Sequence, residues 1–281
     1  MMDDGGPCSC LTPKKLCTLS GTVRYWISPH REDAPCLVFL PGLTADHRLF
    51  QAQIAHFAGK ANCFVWDPPS HGESRPYDLT WSLDDKACLL HEILAEEGFS
   101  YPVLIGQSMG GFLAQVYMEL FPGEVSGFVS IDSAPLKADF YREWEIAFLR
   151  HTYALYAPIP WGLLRKMAVT GVAETESGQA LMGSMLSGYA KGAYVDLISH
   201  GYKETARAIE SDRRYKVCCP AVLICGSADA AGFTRRLNRE WTRMTNIPLH
   251  WIEGAGHNSN TDAPDEVNAL IDDFLAELAE D

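Results

Sequence analysis

Short apolar runs alternate with amphipathic stretches along most of this chain. The runs "CLVFL" (36–40), "CFVW" (63–66), "VLI" (103–105), "GFVSI" (127–131), "AVLIC" (221–225) and "LHWI" (249–252) lack a regular polar alternation. They predict strands buried on both faces. Between them, apolar positions recur at spacings of three and four. Met109, Phe112, Leu113, Val116, Tyr117 and Leu120 predict one helix, and Leu89, Leu90, Ile93 and Leu94 another near 84–96. The same period appears in "RLFQAQIAHFA", in Phe233, Leu237, Trp241 and Met244, and in Val267, Leu270, Ile271, Phe274, Leu275 and Leu278. "CTLSGTVRYWI" (17–27) predicts a hairpin turning at Ser20–Gly21.

This alternation implies an α/β class with a parallel sheet covered on both faces. It lapses between 138 and 211, where every segment reads as helical and aromatic and Met residues are scattered, from Trp144 and Phe148 to Met185 and Tyr189. The organisation expected is an N-terminal tail (1–14), one α/β core made of 15–137 and 212–281, and a helical insertion at 138–211.

The stretch "VLIGQSMGG" (103–111) leaves almost no room between strand and helix, and puts Ser108 at the apex of the turn. A side chain there stands clear of the sheet, and the following helix aims its free N–H groups and positive dipole end at the same place. Such a position suits a nucleophile whose product develops an oxyanion. The pattern is that of the G-x-S-x-G nucleophile elbow, in its strand-to-helix context.

Four further segments join the elbow. They are "LPGLTAD" (40–46), "DPPSHGES" (67–74), "GSAD" (226–229) and "GAGH" (254–257), each following a predicted strand. With these motifs, roughly residues 15–280 resemble the α/β-hydrolase superfamily, in its serine-hydrolase branch with a helical cap. The resemblance implies a mostly parallel eight-stranded sheet with helices on both faces and 138–211 as the cap. It implies a triad in the order Ser108, Asp229, His257. It also implies an oxyanion hole from the backbone amides of Met109 and Leu43, with Gly42 permitting close approach. Two departures stand out: Pro69–Ser70 replaces the common Arg–Gly, and Pro41–Gly42 replaces the common His–Gly, which leaves open how that loop is braced.

The chemistry of the residues agrees. A serine hydroxyl needs a base to take its proton, and an imidazole titrates near neutrality. His257 has the flexible setting for this role, whereas His71 in "SHGES" reads as a loop brace. Asp229 would orient the ring, with Asp132 in "SIDSAP" as the alternative acid.

Composition narrows the setting. The formal net charge of −13 speaks against nucleic acid or anionic membrane as partner. No apolar run reaches a membrane span, and "MMDDGGPCSC" is not a secretory signal, so a cytoplasmic location is expected. The nine cysteines are an odd number, and Cys36, Cys63 and Cys225 sit inside apolar runs as small core residues. Neither Cys8–Cys10 nor Cys218–Cys219 has zinc-type spacing, so no metal and no cofactor is expected. The apolar insertion and the lack of any cluster of Lys or Arg beside the motifs point to a small, largely uncharged ester, thioester or lactone. Cofactor-free C–C bond hydrolysis, acyl transfer and a non-enzymatic ligand receptor remain alternatives, the intact triad speaking against the last.

Overall fold

A computed structural model describes residues 11–211, 213 and 216–280; Cys8 and Cys10, with most of the expected tail, lie outside the described residues. Eight strands form one sheet in the order β1-β2-β4-β3-β5-β6-β7-β8. They are β1 (Thr12–Thr18), β2 (Gly21–Ile27), β3 (Cys36–Leu40), β4 (Asn62–Asp67), β5 (Val103–Gln107), β6 (Gly127–Ile131), β7 (Ala221–Gly226) and β8 (Leu249–Ile252). Only β2 runs against the rest, antiparallel to both β1 and β4. From β4 to β8 every pairing is parallel, and central β3, β4, β5 and β6 are buried almost throughout. That two-sided burial is why their sequences read as continuous apolar runs.

The helices of the core are α1 (Gln51–Phe57), α2 (Leu83–Glu96) and α3 (Met109–Leu120) before β6. Five more, α4 (Glu143–Arg150), α5 (Thr152–Tyr156), α6 (Trp161–Thr170), α7 (Glu176–Leu186) and α8 (Lys191–Glu210), lie between β6 and β7. Then come α9 (Thr234–Thr245), the short α10 (Ser259–Asp262) and α11 (Pro264–Glu280). α2 packs on α3 and α1 on α11, enclosing a core whose largest fully buried side chains include Trp66, Phe39, Phe50, Phe57 and Phe64. Ser82 and Asp85 close a reciprocal capping box at the start of α2.

The hairpin differs from expectation in two respects. Its first strand starts at Thr12, three residues before the expected core boundary at residue 15. As a half-exposed edge strand carrying Pro13, Lys14 and Lys15, β1 lacks the apolar signal that marks buried strands. The turn is Leu19–Ser20, with Gly21 already paired to Thr18. Gly21 has φ 150°, and a Cβ there would meet the Tyr77 ring at 2.6 Å.

Candidate active site

The turn between β5 and α3 is strained at one residue. Ser108 has φ 51° and ψ −117°, a region that costs a non-glycine residue on the order of 1–3 kcal/mol. Four hydrogen bonds hold it there: its N–H donates to Ile131 O (2.9 Å), and its carbonyl accepts from Ser133 Oγ (2.6 Å), Gly111 N–H (2.9 Å) and Phe112 N–H (3.4 Å). The flanking glycines serve close approach rather than torsion. A Cβ on Gly106 would lie 2.5 Å from the backbone of Gly110, and one on Gly110 would lie 1.8 Å from Leu40 O. The elbow is therefore pressed directly onto β3.

His257 sits in the loop between β8 and α10. Its Nε2 lies 2.9 Å from Ser108 Oγ, and its Nδ1 lies 2.9 Å from Asp229 Oδ2. A carboxylate only accepts, so Nδ1 carries the proton and the Nε2 lone pair faces the serine hydroxyl. Asp229 is buried, and its Oδ1 accepts from Ala231 N–H at 2.7 Å. Burial lowers the His257 pKa, but the charge and hydrogen bond of Asp229, with the charge of Asp132, outweigh it and leave it above the ordinary value.

Asp132, the alternative acid, is also fully buried, but its oxygens are engaged elsewhere. Oδ1 accepts from Gly226 N–H (2.7 Å) and Oδ2 from Ser259 N–H (2.8 Å). Burial, then the charge of Asp229, pushes its carboxyl far above the carboxylate range. His71 is buried too, with Nδ1 donating to Pro69 O at 2.9 Å; burial and the Lys86 charge hold it well below its ordinary pKa.

The loop after β3 lies on the elbow. A Cβ at Gly42 would come 2.3 Å from Gln107 Oε1 and 3.0 Å from Ser108 Cβ, so the backbone of this loop reaches the serine. Among the described residues, the amides of Leu43 and Met109 donate to no protein acceptor. The bracing question raised by Pro41–Gly42 has an answer further along. Asp46 accepts from the guanidinium of Arg48, and Asp67 Oδ1 accepts from both the amide (2.7 Å) and the ring (2.8 Å) of His47, which stacks on Trp26.

Ser108 and His257 face two adjoining cavities. One, of about 300 Å³, takes in Leu43 and Met109 and is walled by Leu164, Met167, Val172, Met182 and Ile198. The other, of about 350 Å³, runs past Ser133, Tyr141 and Phe148 to Phe233 and Leu237. A more open crevice of about 600 Å³ around Asp84, Glu119 and Arg213 touches neither residue. Among the described residues, two groups bring potential metal ligands together, Asp46–His47–Asp67 and Asp132–Cys225–Asp229. In both, each carboxylate oxygen already accepts a hydrogen bond, so the clustering is accounted for by bracing. Cys63 and Cys225 are buried in their strands as expected, while Cys36 is half-buried.

Sequence reasoning missed Gln107, whose Nε2 donates to His257 O (2.8 Å) and Asn258 Oδ1 (3.1 Å) and so ties elbow to histidine loop. It occupies a free position of the elbow motif, where nothing in the pattern marks it. Asn260 was missed as well; it anchors α10 to Leu49 O and Gln53.

The family model described as the alpha/beta hydrolase family matches residues 37–270. The chain belongs to that family. Among solved structures it is similar to a thermophilic esterase from Thermogutta terrifontis (TM-score 0.76, 16% identity, covering 95% of this chain and 99% of that one). It is also similar to the Cif epoxide hydrolase from Acinetobacter nosocomialis (TM-score 0.79, 14% identity, 95% and 90%). At these identities the likeness is one of fold. The serine O-succinyltransferase of Frateuria aurantia is 36% identical over 76 residues, 26% of this chain and only 21% of that enzyme. Among the described residues, no helix is long and apolar enough to cross a membrane.

Proposed function

We propose that the protein is a serine hydrolase that cleaves a small, largely apolar ester, thioester or lactone through an acyl-enzyme. The observation that carries this reading is the unbroken chain Ser108 Oγ–His257–Asp229, with both contacts at 2.9 Å. His257 takes the hydroxyl proton as Ser108 attacks the carbonyl, and Asp229 stabilises the imidazolium that forms. The negative charge on the carbonyl oxygen falls to the amides of Leu43 and Met109. His257 then returns its proton to the leaving group. A water molecule, activated by the same imidazole, releases the acid and restores Ser108. Residues 138–211 act as the cap that supplies most of the apolar wall. Charge and cysteine usage support a cytoplasmic setting.

Fluorophosphonate labelling tests this reading. The wild-type protein is expected to be labelled at Ser108, and Ser108→Ala to take up no label and lose at least 10⁴-fold in esterase rate. A Ser108→Ala protein retaining a tenth of the activity would overturn it. The second cavity, together with the local likeness to a succinyltransferase, favours one other reading, transfer of the acyl group to an alcohol bound there. Product analysis with added small alcohols separates the two: an acyl-transfer enzyme yields mainly the new ester in water.

A further inference from the structure

The carboxylate of Asp262, at the end of α10, binds two separate segments at once. Oδ2 accepts from the amide of Gly256 (2.9 Å), next to His257, and from the amide of Glu174 (2.9 Å). Oδ1 accepts from the amide (2.9 Å) and hydroxyl (2.6 Å) of Thr175. Thr175 is in turn the N-cap of α7, its hydroxyl accepting from Gly178 N–H. On the other side of the histidine, Asn258 N–H donates to Val172 O at 2.7 Å. The residues on both sides of His257 are thus bonded to the turn at 172–175 or to the carboxylate that holds it. The fit is tight, since a Cβ on Gly178 would come 2.8 Å from Asp262 Oδ1 and one on Gly256 3.1 Å from Val172 O. α10 itself is fixed to the core through Asn260, Gln53 and Leu49.

That turn joins α6 to α7, and Leu164, Met167, Val172 and Met182 of this region wall the cavity that opens on Ser108. We infer that Asp262 is a positioning residue that couples filling of this apolar cavity to the attack-ready placement of His257. The inference rests on the reading of Ser108 and His257 given above. An acyl chain that presses α6 and α7 into place steadies the turn, and through Asp262 and Val172 it steadies the imidazole over Ser108. Short acyl groups leave the wall unsupported and obtain less of this effect. A bond network that only held the loop together would affect all substrates alike.

The test compares kcat and KM for p-nitrophenyl acetate and hexanoate in the wild type, Asp262→Asn and Thr175→Val. Asn keeps the shape, but its NH₂ must face backbone N–H groups; Val puts a methyl in place of the Thr175 hydroxyl, removing its bond to Asp262 and its cap on the Gly178 amide. In the wild type kcat for hexanoate is expected to exceed that for acetate. In Asp262→Asn that ratio should fall on the order of tenfold, with kcat carrying more of the loss than KM; a displaced catalytic group can cost up to about 10²-fold. Thr175→Val should move the ratio the same way by a smaller amount, and it provides the reading if Asp262→Asn fails to fold. An unchanged ratio, even with a lowered Tm, overturns the proposal. If the wild type turns over neither ester, the functional reading fails first. The coupling is then read by amide hydrogen exchange in Ser108→Ala with methyl hexanoate added. Joint slowing of 172–175 and 256–258, lost on adding Asp262→Asn, supports it, and slowing of 172–175 alone refutes it.

Discussion

Replacing Asp229 by Asn removes one charge from the site and almost no volume, so its effects can be worked from one contact. The carboxylate lies 2.9 Å from Nδ1 of His257, and its side chain has no solvent exposure. Two unit charges at 2.9 Å attract by about 6 kcal/mol at an effective dielectric of about 20, and this attraction exists only while the imidazole is protonated, as it is in the transition state. At about 1.4 kcal/mol per factor of ten, losing it costs on the order of 10⁴-fold in kcat/KM. Asn can still accept from Nδ1–H, which makes 10³- to 10⁴-fold the expected range. The same substitution has a second signature with a definite sign. In the proposed mechanism His257 acts as a base only when neutral, so activity should fall in acid as the ring protonates. Burial depresses its pKa, but the charges of Asp229 and Asp132 leave it above the ordinary value of 6.5. The wild-type acid limb should therefore have its midpoint above 6.5, and Asp229→Asn should move that midpoint down while lowering the plateau. Initial rates of p-nitrophenyl ester hydrolysis across pH measure both. An Asp229→Asn enzyme within tenfold of wild type, or an acid limb that stays in place, would refute the reasoning and return the role to Asp132.

Other outcomes follow from the same geometry. Asp132→Asn should leave a buried amide N–H facing an NH₂ group, costing about 1–3 kcal/mol of stability in denaturant melts; its rate loss should be well below that of Asp229→Asn. Gly110→Ala puts a Cβ 1.8 Å from Leu40 O and should unfold the protein or lower its Tm sharply. Gly162→Ala, within α6 and with nothing inside 4 Å of the new Cβ, should instead raise stability by about 0.5–1 kcal/mol. kcat/KM should climb with acyl length by up to about 0.8 kcal/mol per CH₂ until the cavity is filled, and a charged acyl end should be rejected; a flat profile counts against the apolar reading.

Much of the fold was legible because burial leaves a signature. Strands covered on both faces read as apolar runs, and β3 to β6 do, apart from Asn62 and Asp67 at the ends of β4, Gln107 at the end of β5 and Ser130 within β6. The start of β1, before Cys17, escaped because an edge strand with a half-exposed face needs no such pattern. The elbow was legible for a different reason: Gly106 and Gly110 are forced by backbone contacts closer than any side chain permits. Gln107, Asp262 and Asn260 carried no signal at all. Each acts through hydrogen bonds to backbone groups distant in sequence, and neither spacing nor residue type reveals such partners.

The choice between the two aspartates illustrates the same limit. Both Asp132 and Asp229 follow the ends of adjacent strands, β6 and β7, so the sequence offers two carboxylates at one sheet edge. What separates them is the packing of the loops above. Gly226 lies against Gly256, where a Cβ would come 2.1 Å from the Gly256 carbonyl oxygen, and this contact brings the loop after β7 alongside the histidine loop. Asp229 therefore meets Nδ1 from the side. Asp132 lies beneath, one oxygen on Gly226 and the other on Ser259, and ties together the two loops that carry Asp229 and His257. A carboxylate already saturated by two backbone amides has little left to orient a ring, but it can set the spacing of the groups that do. Its burial beside Asp229 has an electrostatic consequence as well: burial and the charge of Asp229 oppose ionisation of Asp132, and the imidazolium favours it. The protonation of His257 is thus linked to both, and substitution of Asp132 should reach the acid limb of the rate profile without any contact with substrate.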